Sequence, residues 1–182
     1  MKQQRNMGFT LVELLITLAI LVILVTGAIP AMRDMIERQR LYHAAETLAA
    51  DLRLFRSEAL SRNQDHITVT FAEGSDWCYG VAEETCDCHA LIDEADSCTL
   101  PRNQTLYRFT RHASAFSGID LVRASFFQGS ELRFDGFRGL GQPGTVTVAN
   151  AAGQQLDIKV SLLGRVRICT PEGQPSGRYP AC

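Results

Sequence analysis

MKQQRNMGFTLVELLITLAILVILVTGAIP, residues 1–30, decides how the rest of the chain is read. Between Phe9 and Ile29 lie 21 residues with a single charge, Glu13. At about 1.5 Å of rise per residue, a helix of that length crosses a hydrocarbon layer of about 30 Å. Lys2 and Arg5 precede it without an acidic residue, so the positive-inside bias keeps the short N-terminus in the cytoplasm and sends everything after Pro30 across the membrane. An ordinary secretory signal has a shorter apolar core with a small-residue cleavage site beyond it. Here a small residue, Gly8, comes first, and a cut between Gly8 and Phe9 would leave the apolar run on the mature protein.

A carboxylate inside a membrane helix costs on the order of 2.5–3.5 kcal/mol on insertion scales, so Glu13 either faces a partner or reaches the headgroups. The word Gly8-Phe9-Thr10-Leu11-Val12-Glu13, with its short basic leader and apolar continuation, resembles the processing site of type IV pilins and type II secretion pseudopilins. That resemblance implies a prepilin peptidase that cuts after Gly8 and methylates the new amino end at Phe9. It also implies that Glu13 meets the amino terminus of a neighbouring subunit, its Phe9, as the chain joins a filament.

The 182 residues divide on this reading into a leader (1–8), a transmembrane or filament-core helix (9–29), an amphipathic helix (30–62) and one disulfide-stapled, β-rich head (63–182). Pro30 predicts a kink or a locally unwound turn, because it removes a hydrogen bond from the helical ladder. Beyond it Leu41, Ala45, Leu48, Leu52, Phe55 and Ala59 recur at spacings of four and three, a stripe suited to covering a sheet. Arg38, Glu46, Asp51, Arg53, Arg56 and Arg62 fall mostly off it, and the helix is expected to end near Asn63. A coiled-coil seam is the competing reading, weakened by two alanines and by its short run.

From Ile67 the period changes to two. Ile67–Phe71, Trp77–Val81, Leu106–Thr110, Leu121–Phe127, Glu131–Phe137, Thr145–Asn150, Gln155–Leu163 and Arg165–Cys169 are the strand candidates. Val146 and Val148 face Leu156, Ile158 and Val160 across Ala151-Ala152-Gly153, the pattern of a hairpin. The glycine-rich run from Asp135 to Gly144 opens no helix, which favours a loop between strands over a phosphate cradle. The fold class is therefore α+β: a long N-terminal helix packed on an antiparallel sheet.

Six cysteines, Cys78, Cys86, Cys88, Cys98, Cys169 and Cys182, lie beyond the membrane on this topology, where disulfides persist. Three bridges are expected, and fifteen connectivities are open to six thiols. Cys169 with Cys182 is preferred, since it would pin a Pro/Gly-rich tail to the last strand. The other four staple the excursion from Cys78 to Cys98 in an unspecified pairing. Zinc is the competing use of Cys78, Cys86, Cys88, His89 and Cys98, but the Cys-x2-Cys spacing is missing and no metal or other cofactor is expected.

Charge is uneven. Glu73 to Asp96 holds eight carboxylates and no Lys or Arg, whereas Pro101 to Cys182 sets ten basic residues against five acidic ones. The net charge of -2 argues against a generally basic nucleic-acid binder, leaving only local binding. No EF-hand order of Asp, Asn and Gly appears in the acidic stretch, which reads as a solvated loop rather than a calcium site. Gly164-Arg165-Val166-Arg167 would project both guanidinium groups from one face of an extended segment, a pairing that suits phosphates. This Gly-Arg-x-Arg string is similar to a motif near the C-terminus of the GspH/FimT-type pseudopilins, some of which bind DNA through it. The resemblance extends weakly through the head by way of the element from Phe134 to Arg138. On it, Arg165 and Arg167, reinforced by Lys159, Arg178 and Arg138, are the candidate DNA or phosphate ligands. An edge strand in solvent, or a contact with an acidic neighbour, is the plainer use of the same arginines.

His43, His66, His89 and His112 are scattered, without a Glu-x-x-His pair, and no Gly-x-Ser-x-Gly elbow occurs, so an enzyme is not expected. The histidines read as surface or loop residues. Asn103-Gln104-Thr105 matches the glycosylation triplet, which indicates at most exposure. The expectation is a minor pilin or pseudopilin that is a single-pass inner-membrane protein with a periplasmic head and later enters a pilus or pseudopilus. Its implied partners are major and minor pilins, the prepilin peptidase, the inner membrane and double-stranded DNA. Its role would lie in the priming or tip complex of a type IV pilus, with a type II secretion pseudopilin and a dedicated DNA-uptake receptor as alternatives.

Overall fold

The computed structural model describes residues 10–63, 66–102, 105–127, 129–174 and 177–182. Gly8, Phe9, Asn103 and Gln104, singled out above, lie outside them. One helix, α1, covers Leu11–Arg62, and the chain divides into two compact units, Met1–Ile36 and Glu37–Cys182. The backbone stays helical through Pro30, so the unwound turn expected there does not form. Proline removes one donor from the ladder, and the helical residues on either side carry the remaining bonds across.

In the first unit, every described side chain from Thr10 to Gly27 is exposed. A helix that is apolar all round and unburied by its own chain needs lipid or other helices as its surroundings. Its hydroxyls do not oppose this. Thr17 and Thr26 donate back to the carbonyls of Leu14 and Ile23 at 2.8 and 2.9 Å, so neither of these two hydroxyls carries an unpaired donor into hydrocarbon.

In the second unit, the expected stripe of α1 is the buried face: Leu41, Ala45, Leu48, Leu52, Phe55 and Ala59 are all buried, joined by Ala44 and Ala49. Full burial of a Leu or Phe stabilises by about 1.5–3 kcal/mol, and the small alanines between them let the helix come close to what it covers. Asn63, with φ of 50°, takes the left-handed conformation that commonly ends a helix.

Ten strands follow among the described residues: β1 (His66–Ala72), β2 (Cys78–Ala82), β3 (Thr99–Arg102), β4 (Thr105–Arg108), β5 (Thr110–His112), β6 (Ile119–Phe126), β7 (Glu131–Asp135), β8 (Gly144–Asn150), β9 (Gln155–Val160) and β10 (Val166–Cys169). They form two antiparallel four-stranded sheets, ordered β5-β2-β1-β7 and β10-β9-β8-β6, and a separate β3-β4 hairpin. The fold is thus α+β. The β8-β9 hairpin has the expected register, with Val146 opposite Ile158 and Val148 opposite Leu156. Several strand readings need correction. The candidate Leu106–Thr110 is split at Phe109 between β4 and β5, β7 stops at Asp135 short of Phe137, Arg165 precedes β10, and β9 stops at Val160 before a turn.

The core between helix and sheets is rich in aromatic rings. Trp77 stacks on Phe116 and Tyr79, and its indole N–H donates to the Ile119 carbonyl at 2.7 Å, which satisfies the polar edge of a buried ring. A second, smaller cluster lies on the other face of β1 and β2. The three bridges are Cys78–Cys88, Cys86–Cys98 and Cys169–Cys182. Cys78, Ala82, Cys86, Cys88 and Cys98 bury one another, so the disulfide-bearing excursion caps the sheet face that alternation alone would leave wet. That cover explains why Thr68 is fully buried and why every residue of β2 is.

Candidate phosphate-binding face and assembly helix

Position along a sheet sets the first site. In the β9-β10 ladder Arg167 stands opposite Lys159, and in the β8-β9 ladder Lys159 stands opposite Thr145. Alternation puts these three on one face, while Val160 and Val166 turn into the core. Arg165 enters from the turn before β10. That turn is held by Gly164 N–H donating to the Ser161 carbonyl at 2.8 Å and Arg165 N–H donating to Ser161 Oγ at 3.2 Å. Gly164 has φ of 68°, and the Gly139 carbonyl and the Arg56 side chain crowd the space a Cβ would take, so glycine is required just ahead of the arginines. Arg56 in turn donates to the Gly139 carbonyl at 2.8 Å, and Arg53 to the Val166 carbonyl at 3.2 Å. Two arginines that lie off the apolar stripe of α1 thereby anchor the loops that aim Arg165 and Arg167.

The result is an open depression of about 280 Å³ lined by Gly144, Thr145, Lys159, Val160, Ser161, Arg165 and Arg167. Three cations converge there, and no carboxylate is among its lining residues. Asp157, two residues before Lys159, is the nearest acid along that strand and is engaged by the Thr147 hydroxyl at 2.7 Å. Forked guanidinium groups beside hydroxyls such as Ser161 and Thr145 are donors fitted to phosphate or carboxylate oxygens.

Arg178 does not join this group. It pairs with Glu46 at 3.0 Å and lies over the Tyr179 ring at 5.9 Å, lining another depression with Arg38 and Tyr42. The tail that carries it is held to β10 by the Cys169–Cys182 bridge and by Thr170 N–H donating to the Pro180 carbonyl. Arg138 is exposed in the β7-β8 loop, where its backbone N–H donates to Asp135, and it is not among the residues that line the depression. Ser161 and Thr145 are the lining residues that sequence reading did not single out. The Ser-x-x-Gly spacing ahead of Arg165 is the signal that could have found the former.

The second site is the start of α1. Glu13 N–H donates to Thr10 Oγ1 at 3.2 Å, so Thr10 caps the helix and Glu13 lies in its first turn. Thr-x-x-Glu is a helix-start pattern, and the positive end of the helix dipole favours a carboxylate there. Helix geometry thus places the one charge of the apolar segment in its first turn.

An exposed apolar N-terminal helix with a carboxylate in its capped first turn, joined in sequence to a helix-covered β head, defines a membrane-anchored, pilin-like subunit. The family comparisons agree with this class. Residues 44–164 match the family described as type II transport protein GspH, and residues 4–29 match the prokaryotic N-terminal methylation motif. The chain belongs to the GspH family of pilin-like proteins, whose members are minor pilins and pseudopilins. No curated protein and no solved structure matches it.

Proposed function

We propose that this chain is a minor pilin that helps to start or cap a type IV pilus and does so without catalysing a reaction. The observation that carries the reading is the start of α1, exposed from Leu11 to Gly27 and bearing one carboxylate in its first turn. Such a helix is covered by lipid before assembly and by sister helices after it. Glu13 is the one residue in it able to recognise a neighbour's amino end electrostatically. Prepilin peptidase cuts between Gly8 and Phe9 and methylates Phe9. The head waits in the periplasm on a single inner-membrane pass, and the subunit then leaves the membrane with other minor and major pilins.

The convergence of Lys159, Arg165 and Arg167 supports a second activity for the same subunit, the binding of duplex DNA through its phosphates. No groove-reading helix lies among the described residues that line the depression, so such binding would be insensitive to sequence. A type II secretion pseudopilin remains the alternative assembly. Deleting the chain and scoring surface pili, secreted enzymes and transformation separately tests all three. The proposal expects loss of pili. Loss of secretion with normal piliation would transfer the chain to the secretion apparatus, and loss of transformation alone would make it a DNA receptor.

A further inference from the structure

His89 and His112 come from elements far apart in sequence, and one disulfide holds them together. His112 stands opposite Cys78 in the β2-β5 ladder, Cys78 is bonded to Cys88, and His89 follows Cys88 directly. The backbone N–H of His89 donates to Asp87 Oδ1 at 2.8 Å, which fixes the turn that presents its ring. The two imidazole centroids are 6.0 Å apart and tilted by 56°. Cys78 Sγ and one ring nitrogen of each histidine lie within 4.8 Å of one another.

The geometry points to a site for a borderline divalent transition metal, with Zn2+ as the ion of choice, held by the imidazoles of His89 and His112. Zinc bonds imidazole nitrogen at about 2.1 Å and favours four ligands in a tetrahedron, so small rotations of the two rings bring their nitrogens to one ion. Cys78 is tied up in its disulfide and offers no thiolate, which makes the imidazoles the protein's contribution. Two tetrahedral positions then stay open for water or for a donor from a neighbouring subunit.

The surrounding charge favours a cation. Glu83, Glu84, Asp87, Asp93, Glu94 and Asp96 lie in the same excursion, with no Lys or Arg between Glu83 and Asp96. Arg108 is the cation that reaches in, and its guanidinium is directed to the carbonyls of Cys88 and Ala90. Hard oxygen-seeking ions such as Ca2+ have no preference for a pair of imidazoles, whereas Zn2+ does. The bound ion would tie the acidic excursion to β5 at the side of the head. This inference stands apart from the assembly reading, since it concerns residues that neither the helix nor the arginine face uses.

The test uses the full-length chain in detergent with all six cysteines oxidised, verified by the absence of titratable thiols, so that thiolates cannot supply the binding. Zn2+ is titrated against a chromophoric chelator in the native chain, in His89→Ala and in His112→Ala, and again with excess Ca2+. The expected result is one Zn2+ per chain, weakened at least about tenfold by either substitution and undisturbed by Ca2+. His89 is exposed, so its variant reads the site even if the strand substitution at His112 fails to fold. Absence of Zn2+ binding, binding that survives His89→Ala unchanged, or displacement by Ca2+ would each overturn the proposal.

Discussion

The Tyr79 hydroxyl donates a 2.7 Å hydrogen bond to the carboxylate of Asp51, joining buried residues of β2 and the middle of α1. The same Asp51 oxygen accepts from Arg111 Nε at 3.1 Å, and the Arg111 guanidinium lies 5.5 Å from the Phe109 ring. Burial, and then the neighbouring Asp51 charge, pushes the Tyr79 phenol far above its usual range, while the hydrogen bond to Asp51 raises Arg111 further. The triad is a polar contact that fixes the helix on the first sheet.

Asp51→Ala should therefore destabilise the head by about 2–3 kcal/mol, since it leaves a buried hydroxyl unpaired. Arg111→Ala should cost less, because that side chain is 43% exposed and water partly replaces it. Denaturant midpoints of the two variants check the ordering, and a smaller loss at Asp51 than at Arg111 would contradict it.

Gly80 lies beneath the Cys86–Cys98 bridge, where an added Cβ would come within 2.6 Å of Cys98 Cβ. Gly80→Ala is expected to leave a fraction of the chains with this bridge unformed. Mass measured after alkylation, without reductant, reads this directly as two extra blocked thiols. A fully oxidised, equally stable variant would show that the strand and loop can separate without cost.

Duplex DNA binding, if it is carried by the depression at β9 and β10, should depend on Lys159, Arg165 and Arg167 and not on Arg178. Arg165→Ala with Arg167→Ala should lower the magnitude of the salt slope by about two phosphate contacts, near 0.9 per contact. Arg178→Ala should leave both affinity and slope unchanged. Equal effects of the two variants would mean that general charge, not this face, attracts the DNA.

Alkaline stability follows from the two paired tyrosines. Tyr179 is pushed up to about 12, first by burial and then by its hydrogen bond to Glu46, and Tyr79 is raised further. An unfolded phenol titrates near about 10. Because the folded values are raised, the contribution is fully present below the unfolded value and is lost as pH climbs through the folded one. Unfolding midpoints should fall from about pH 10 upward, and Tyr79→Phe with Tyr179→Phe should flatten that fall. A native chain with no loss there would contradict the assignment.

Local patterns were legible and distant ones were not. The apolar stripe from Leu41 to Ala59 and the alternation of Val146 and Val148 against Leu156 and Ile158 belong to single elements or to a tight hairpin, so period alone revealed them. β3 escaped notice because Thr99-Leu100-Pro101-Arg102 has no alternation and contains a proline, which is tolerated only at edges and irregular places. The burial of Thr68 and the convergence of His89 on His112 depend on which cysteines pair, and spacing cannot decide that. Charge alone makes Lys159 a candidate reinforcement, and the register that sets it opposite Arg167 shows why it converges. Arg178 offered the same charge, but its tail is folded back toward Glu46. Thr10 was read as part of a processing word, while its hydroxyl also caps the helix through Glu13.

Assembly as a pilin requires the apolar helix to remain part of the mature subunit, with Glu13 in its first turn. Intact mass and N-terminal sequencing of the chain recovered from membranes test this directly. The account predicts a mature chain that begins at a methylated Phe9. A chain that begins beyond Ile29 would contradict it, because the helix would then be discarded as a signal rather than used for assembly.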